Sequence, residues 1–153
     1  MDRCAQPEDA VRWSATARTV LVAEDEPNMR RILVQLLERR GFNVLSFPDG
    51  EAAWQGYQSA HIRIDVVVTD LQMPRLDGRG LIARLMRVTP TPQIAVCSGC
   101  DEECAWVRAR WGTSVATVHK PYSADQLFGI LGPSRRCDQP PESTRAAPAQ
   151  PAP

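Results

Sequence analysis

The chain is almost without lysine: Lys120 stands alone against 17 arginines. It lacks any apolar run near the ~18 residues of a helical membrane span, which excludes that class. Its first residues include Asp2, Glu8 and Asp9 and no apolar stretch, so no signal peptide is expected. It lacks net charge, with 18 basic and 18 acidic side chains. A dedicated nucleic-acid binder carries a basic surplus, so direct nucleic-acid binding is not expected. Five cysteines, at 4, 97, 100, 104 and 137, are an odd number. With no sign of secretion they argue against a disulfide framework and for a cytoplasmic protein. Arg-rich coding explains the 17 arginines but not the one lysine that remains. A compact ammonium on a flexible stem is not replaceable by a planar guanidinium.

What is present suffices for one domain. The 153 residues are 43% hydrophobic and 24% charged. Residues 133–153 hold six prolines and four alanines and no large apolar side chain. Such a segment cannot offset its ordering entropy, so a disordered tail is expected there. Residues 1–17 are aperiodic and read as a flexible leader. A folded domain over 18–132 remains, with 13 acids and 13 bases.

Within it, strand and helix patterns alternate five times. Strands are expected over 19–23, 43–47, 64–69, 93–97 and 115–118. Helical spacing follows each, as with Met29, Ile32, Leu33, Leu36 and Leu37. The other helices are expected over 51–59, 80–88, 101–111 and 124–131, with Asp49 and Ser123 as caps. The first, third and fourth strands are nearly unbroken apolar runs, as in strands buried on both faces of a parallel sheet. The pattern predicts a doubly wound α/β domain with functional groups at the carboxyl ends of the strands.

Those ends carry chemistry. The first strand runs into Glu24-Asp25-Glu26, the third into Asp70, the fourth into Ser98-Gly99 and the fifth into Lys120-Pro121. In a parallel sheet these groups converge. Clustered carboxylates repel unless a cation joins them, and hard oxygen ligands suit Mg²⁺ rather than zinc. A carboxylate beside such a cation can attack phosphorus and form an acyl phosphate.

These four motifs, with the run Asp70-Leu71-Gln72-Met73-Pro74-Arg75-Leu76-Asp77-Gly78, resemble the receiver domain of two-component response regulators. The similarity covers essentially the whole core and is nearest to the stand-alone, chemotaxis-type receivers. It implies a flavodoxin-like fold with a five-stranded parallel sheet of order 2-1-3-4-5 and helices on both faces. It implies that Asp70 is the phosphoacceptor. Asp25, Asp70 and the backbone carbonyl of Gln72 would ligate Mg²⁺, with Glu24 helping to hold it. Lys120 would contact Asp70 and then a phosphoryl oxygen, across a cis Lys120-Pro121 bond. Ser98 would bond the phosphoryl group and move on activation, and would also cap the following helix. A histidine kinase or histidine phosphotransfer protein would be the phosphodonor. The face of the fourth helix, fifth strand and fifth helix would meet a downstream protein.

The chain departs from the family pattern at three places. Thr117 stands where a switching aromatic is usual, and Gly99 where alanine is usual. The stretch from Gly112 to Lys120 is about one residue longer than is typical of the family. Gln72 and Cys100 fall where the lifetime of the acyl phosphate is tuned. The Pro/Ala-rich segment after the last helix shows no helix-turn-helix or catalytic motif, so no output domain is expected and a single-domain regulator that signals by a surface change is the reading. A phosphorelay intermediate or phosphate sink, and a non-phosphorylated scaffold, are the alternatives. An aspartyl-phosphate phosphatase would need an acid two residues after Asp70, where Gln72 stands, so no external-substrate enzyme is expected. Cys97, Cys100 and Cys104 lack a fourth ligand for zinc. His61 and His119 show no partner in the sequence. Trp106 and Trp111 are expected to pack in the core, any exposed part of either ring belonging to a partner surface.

Overall fold

β-Branched, nearly unbroken apolar runs make the centre of the sheet. In the computed structural model, which describes residues 13–135, β1 (Thr19–Ala23) lies between β2 (Asn43–Phe47) and β3 (Val66–Asp70). Beyond β3 come β4 (Gln93–Ser98) and β5 (Val115–His119). All pairings are parallel and the order is β2-β1-β3-β4-β5. β1 is buried along its whole length, as a strand between two helical layers must be.

The helices are α1 (Pro27–Arg39), α2 (Gly50–Ser59), α3 (Gly78–Leu85), α4 (Asp101–Trp111) and α5 (Ala124–Leu131). Period-two alternation divides the sheet between two cores. Val20, Val22, Val66 and Val68 pack with Leu33 and Leu37 of α1 and Leu127 and Leu131 of α5. Leu21, Val67 and Val96 face the other way, against Ala53 of α2, Leu81 and Ile82 of α3 and Val107 of α4. Among the described residues no helix is long and apolar enough to cross a membrane.

Several expected boundaries move. β3 starts at Val66, because Asp65 ahead of it turns its carboxylate to the Thr19 N–H at 2.8 Å. α3 spans Gly78–Leu85 rather than 80–88. Asp77 caps it from the Gly80 N–H at 2.8 Å. At its far end Arg87 and Val88 bond back only three residues, so the α-helix has already tightened into a turn. The extra length before β5 is a 3-10 turn over Gly112–Ser114, and β5 then pairs from Val115 opposite Ile94. Ala17 is buried and bridges Arg135, and Ser14 exchanges two hydrogen bonds with Asn43. Contacts therefore reach past both expected limits of 18–132. The expectations for residues 1–12 and 136–153 lie outside the described residues.

Candidate functional site

Register builds the site. Ala23 lies opposite Thr69, Asp70 opposite Cys97, and Ser98 opposite His119. The segments after β1, β3, β4 and β5 therefore leave the sheet at one edge. One pocket there is lined by Glu24, Asp25, Asp70, Gln72, Ser98 and Lys120, among others. These six are the expected catalytic and metal-binding residues.

Glu24, Asp25 and Asp70 each place a carboxylate oxygen within 4.8 Å of the others. That spacing suits three oxygens shared by one hard cation. Glu24 is buried, Asp25 exposed and Asp70 between the two. Lys120 Nζ donates to Asp70 Oδ2 at 2.6 Å and to Glu24 Oε2 at 2.9 Å. Burial works against its charge, but the Asp70 and Glu24 hydrogen bonds outweigh burial and lift the ammonium above its ordinary range. The Lys120-Pro121 bond is cis. Asp70 Oδ1 accepts from the backbone N–H groups of Leu71 and Gln72 at 2.6 and 3.2 Å, which fixes the plane of the carboxylate.

Local sequence explains these positions. Glu26 caps α1 through the N–H groups of Asn28 and Met29, and Pro27 opens the helix. That leaves Glu24 and Asp25 free of capping and turned to the pocket. Gly78 lets the loop after β3 fold back on itself. A Cβ there would stand 2.1 Å from the Asp70 carbonyl oxygen. Asp49 caps α2 and pairs with Arg75, itself at φ 67°. Burial opposes the Asp49 charge, but Arg75 and the Ala52 N–H hold its carboxyl below the ordinary range.

Residues 20–131 match the family model of the response regulator receiver domain. The chain belongs to that family. The receiver is 34% identical over 82 residues to the response regulator receiver protein CpdR of Brucella abortus, covering 54% of this chain and 67% of that one. It is 27% identical over 131 residues to the DNA-binding transcriptional regulator NtrC of Azospirillum brasilense, covering 86% of this chain but 27% of NtrC. The chain thus spans about a quarter of NtrC and two thirds of CpdR. Among solved structures, the receiver domain of the hybrid histidine kinase CckA is 28% identical at a TM-score of 0.59, covering 74% of this chain and 94% of that one. The chemotaxis response regulator CheY4 of Vibrio cholerae shares the fold at a TM-score of 0.66 and 23% identity, covering 76% and 97%.

Ser98 differs from expectation in the receiver. It does not cap α4: Cys100 occupies the N-cap and makes no side-chain cap bond. Ser98 is buried, accepts the Cys100 N–H at 3.1 Å, and donates to Glu103 Oε2 at 2.6 Å. Glu103 Oε1 accepts from Gln72 Nε2 at 3.1 Å, with Arg79 3.7 Å away. In the sequence Glu103 is one of three acids suited to the first turn of a helix. The signal for more is its place five residues past a strand-end serine, in the first turn of α4.

Thr117, in the place of the switching aromatic, accepts from Arg108 Nη1 at 3.0 Å. Trp106 and Trp111 meet edge to face at 5.3 Å, and Arg79 lies over the Trp106 ring at 4.6 Å. Trp111 packs against the core, while Trp106 is 42% exposed. Cys97, Cys100 and Cys104 are free thiols. Burial pushes the Cys97 thiol up to about 12, which makes it a poor ligand and a poor nucleophile. His119 has a partner after all, with Nε2 3.3 Å from Asp101 Oδ1.

Proposed function

We propose that this receiver is a single-domain, cytoplasmic response regulator that accepts a phosphoryl group on Asp70 in a Mg²⁺-dependent reaction. A carboxylate oxygen of Asp70 forms the new O–P bond while the bond from phosphorus to the donor's leaving atom breaks. For a phosphohistidine donor the leaving atom is a ring nitrogen, which takes a proton. Glu24, Asp25, Asp70 and the Gln72 carbonyl would hold a Mg²⁺, whose charge would offset that of the phosphoryl oxygens. Lys120 supplies the second positive charge, and Ser98 a hydroxyl donor. The observation that carries this reading is Lys120 Nζ spanning Asp70 and Glu24 beside three carboxylate oxygens of metal-site spacing.

The phosphodonor would be a histidine kinase or histidine phosphotransfer protein. An apolar groove of about 410 Å³ adjoins Lys120, lined by Met29, Ile32, Leu33 and Leu36 of α1 with Pro121 and Tyr122. It suits a helix delivering a phosphohistidine to Asp70. The readout surface would be the α4-β5-α5 face, where Arg108 stands in contact with Thr117. The protein would act on a downstream protein, without direct nucleic-acid binding and without an external-substrate reaction.

The test is intact mass after incubation with Mg²⁺ and a small acyl-phosphate donor. A gain of one phosphoryl group is expected, lost in Asp70→Asn and when Mg²⁺ is chelated. A folded, Mg²⁺-binding sample that gains nothing from either a small donor or a kinase would overturn the reading.

A further inference from the structure

A serine hydroxyl has one proton to donate. In this receiver Ser98 gives it to Glu103 Oε2 at 2.6 Å, the short, charge-assisted kind of bond. Ser98 lines the same pocket as Asp70 and Lys120, so its hydroxyl sits within reach of the phosphoryl site yet is committed elsewhere. Glu103 is not a loose surface acid. Its side chain is 15% exposed, and its other oxygen accepts from Gln72 at 3.1 Å with Arg79 behind it at 3.7 Å. Both oxygens therefore have partners, and the first turn of α4 carries them where the helix dipole favours a negative charge.

We propose that Glu103 is a positioning residue, a latch that holds the Ser98 hydroxyl away from the phosphoryl site, so that a phosphoryl group on Asp70 gains Ser98 only by displacing Glu103. The inference rests on Asp70 as phosphoacceptor. Its consequence is a raised threshold for activation: the unphosphorylated state is stabilised by a bond that the phosphorylated state must give up. Gln72 belongs to the same latch, because the loop after β3 and the first turn of α4 are joined through one carboxylate.

The probe is beryllofluoride, a phosphoryl analogue, titrated calorimetrically into the full chain at saturating Mg²⁺. Glu103→Ala should tighten binding about tenfold, the worth of one charge-assisted hydrogen bond released. Glu103→Gln keeps the shape and a neutral acceptor, and should tighten it by a smaller factor. It carries the test if the alanine variant fails to fold. The deciding arm is the Ser98→Ala background. There, removing Glu103 should change affinity less than about twofold, because the latch acts only through the Ser98 hydroxyl. An equal gain in both backgrounds would mean simple relief of charge repulsion and would overturn the latch. So would no gain in the wild-type background. If the wild-type chain binds no beryllofluoride and gains no phosphoryl mass, the phosphoacceptor reading fails and the latch falls with it. Binding without a Ser98-dependent Glu103 effect sinks the latch alone.

Discussion

Lys120 and Asp70 are fifty residues apart in the chain, yet Nζ and Oδ2 meet at 2.6 Å at the carboxyl edge of the sheet. The same ammonium reaches Glu24 at 2.9 Å. One side chain thus bridges two carboxylates that would otherwise face each other across the ends of β1 and β3. A point charge on a flexible stem can sit between two oxygens. A guanidinium is broader and presents its donors in a fixed plane.

Lys120→Arg therefore conserves charge but not the site. Phosphoryl uptake from a small donor should fall at least about tenfold, read by intact mass against time. Lys120→Met should lower stability in metal-free buffer by about 1–3 kcal/mol, below the full cost of breaking a buried pair because Lys120 is 22% exposed. Urea denaturation with and without Mg²⁺ checks this. Added Mg²⁺ should recover part of the loss, since the carboxylates then share a different cation. Equal stability with and without Lys120 in metal-free buffer would contradict the account.

Gly78 tests the packing that shapes the loop. A Cβ there would meet the Asp70 carbonyl oxygen at 2.1 Å and the Leu71 Cα at 2.8 Å, both backbone atoms that cannot swing aside. Gly78→Ala should cost about 3 kcal/mol, at the upper end for overpacking. It should also weaken Mg²⁺ binding, because the loop carries Gln72. Gly129→Ala is the control: it would place its Cβ in open space and should be neutral or mildly stabilising.

The sheet was legible because its strands are short β-branched runs, and the convergence of Asp70, Ser98 and Lys120 followed from parallel topology alone. The limits of α3 were not, because Gly78 and Gly80 look like helix breakers. Only the Asp77 cap and the close approach to Asp70 explain glycine in that turn. The role of Glu103 was hidden for another reason. Asp101, Glu102 and Glu103 are alike as first-turn acids, and only the direction of the side chain separates the one that reaches back to Ser98. The Asp49–Arg75 pair was invisible because it depends on Arg75 adopting a left-handed backbone that the sequence does not announce.

That pair predicts acid sensitivity. The Asp49 carboxyl lies below its ordinary value of 3.8 in the folded state, where Arg75 and the Ala52 N–H outweigh burial. A depressed acid stabilises the fold above its unfolded value and loses that contribution as pH falls through the folded one. Its share is therefore full above about pH 4 and disappears at lower pH. Asp49→Asn keeps a capping oxygen but not the charge. It should be less stable than wild type at pH 7, and the gap should narrow below pH 3.8. Thermal melts across pH 2–7, with Arg75→Ala showing the same narrowing, would check it. A gap that stays constant with pH would show that the cap alone matters.

The groove beside Lys120 separates two kinds of phosphodonor. Met29 and Ile32 of α1 are 38% and 53% exposed and line this groove, and Met29 also borders the acidic pocket. A small donor needs only the pocket. On the proposed reading a donor protein also seats its own surface beside α1 to bring phosphohistidine to Asp70. Ile32→Glu places a charge in that groove at little cost to the fold, since the side chain is already half in water. Mass gain from a small donor should stay within about twofold of wild type. Transfer from a phosphorylated histidine kinase or phosphotransfer protein should slow about ten- to a hundredfold, as expected for the loss of a central apolar anchor. Parallel time courses with the two donors make the comparison. A loss shared by both would place the defect in the pocket, and no loss with the protein donor would show that it docks on another face.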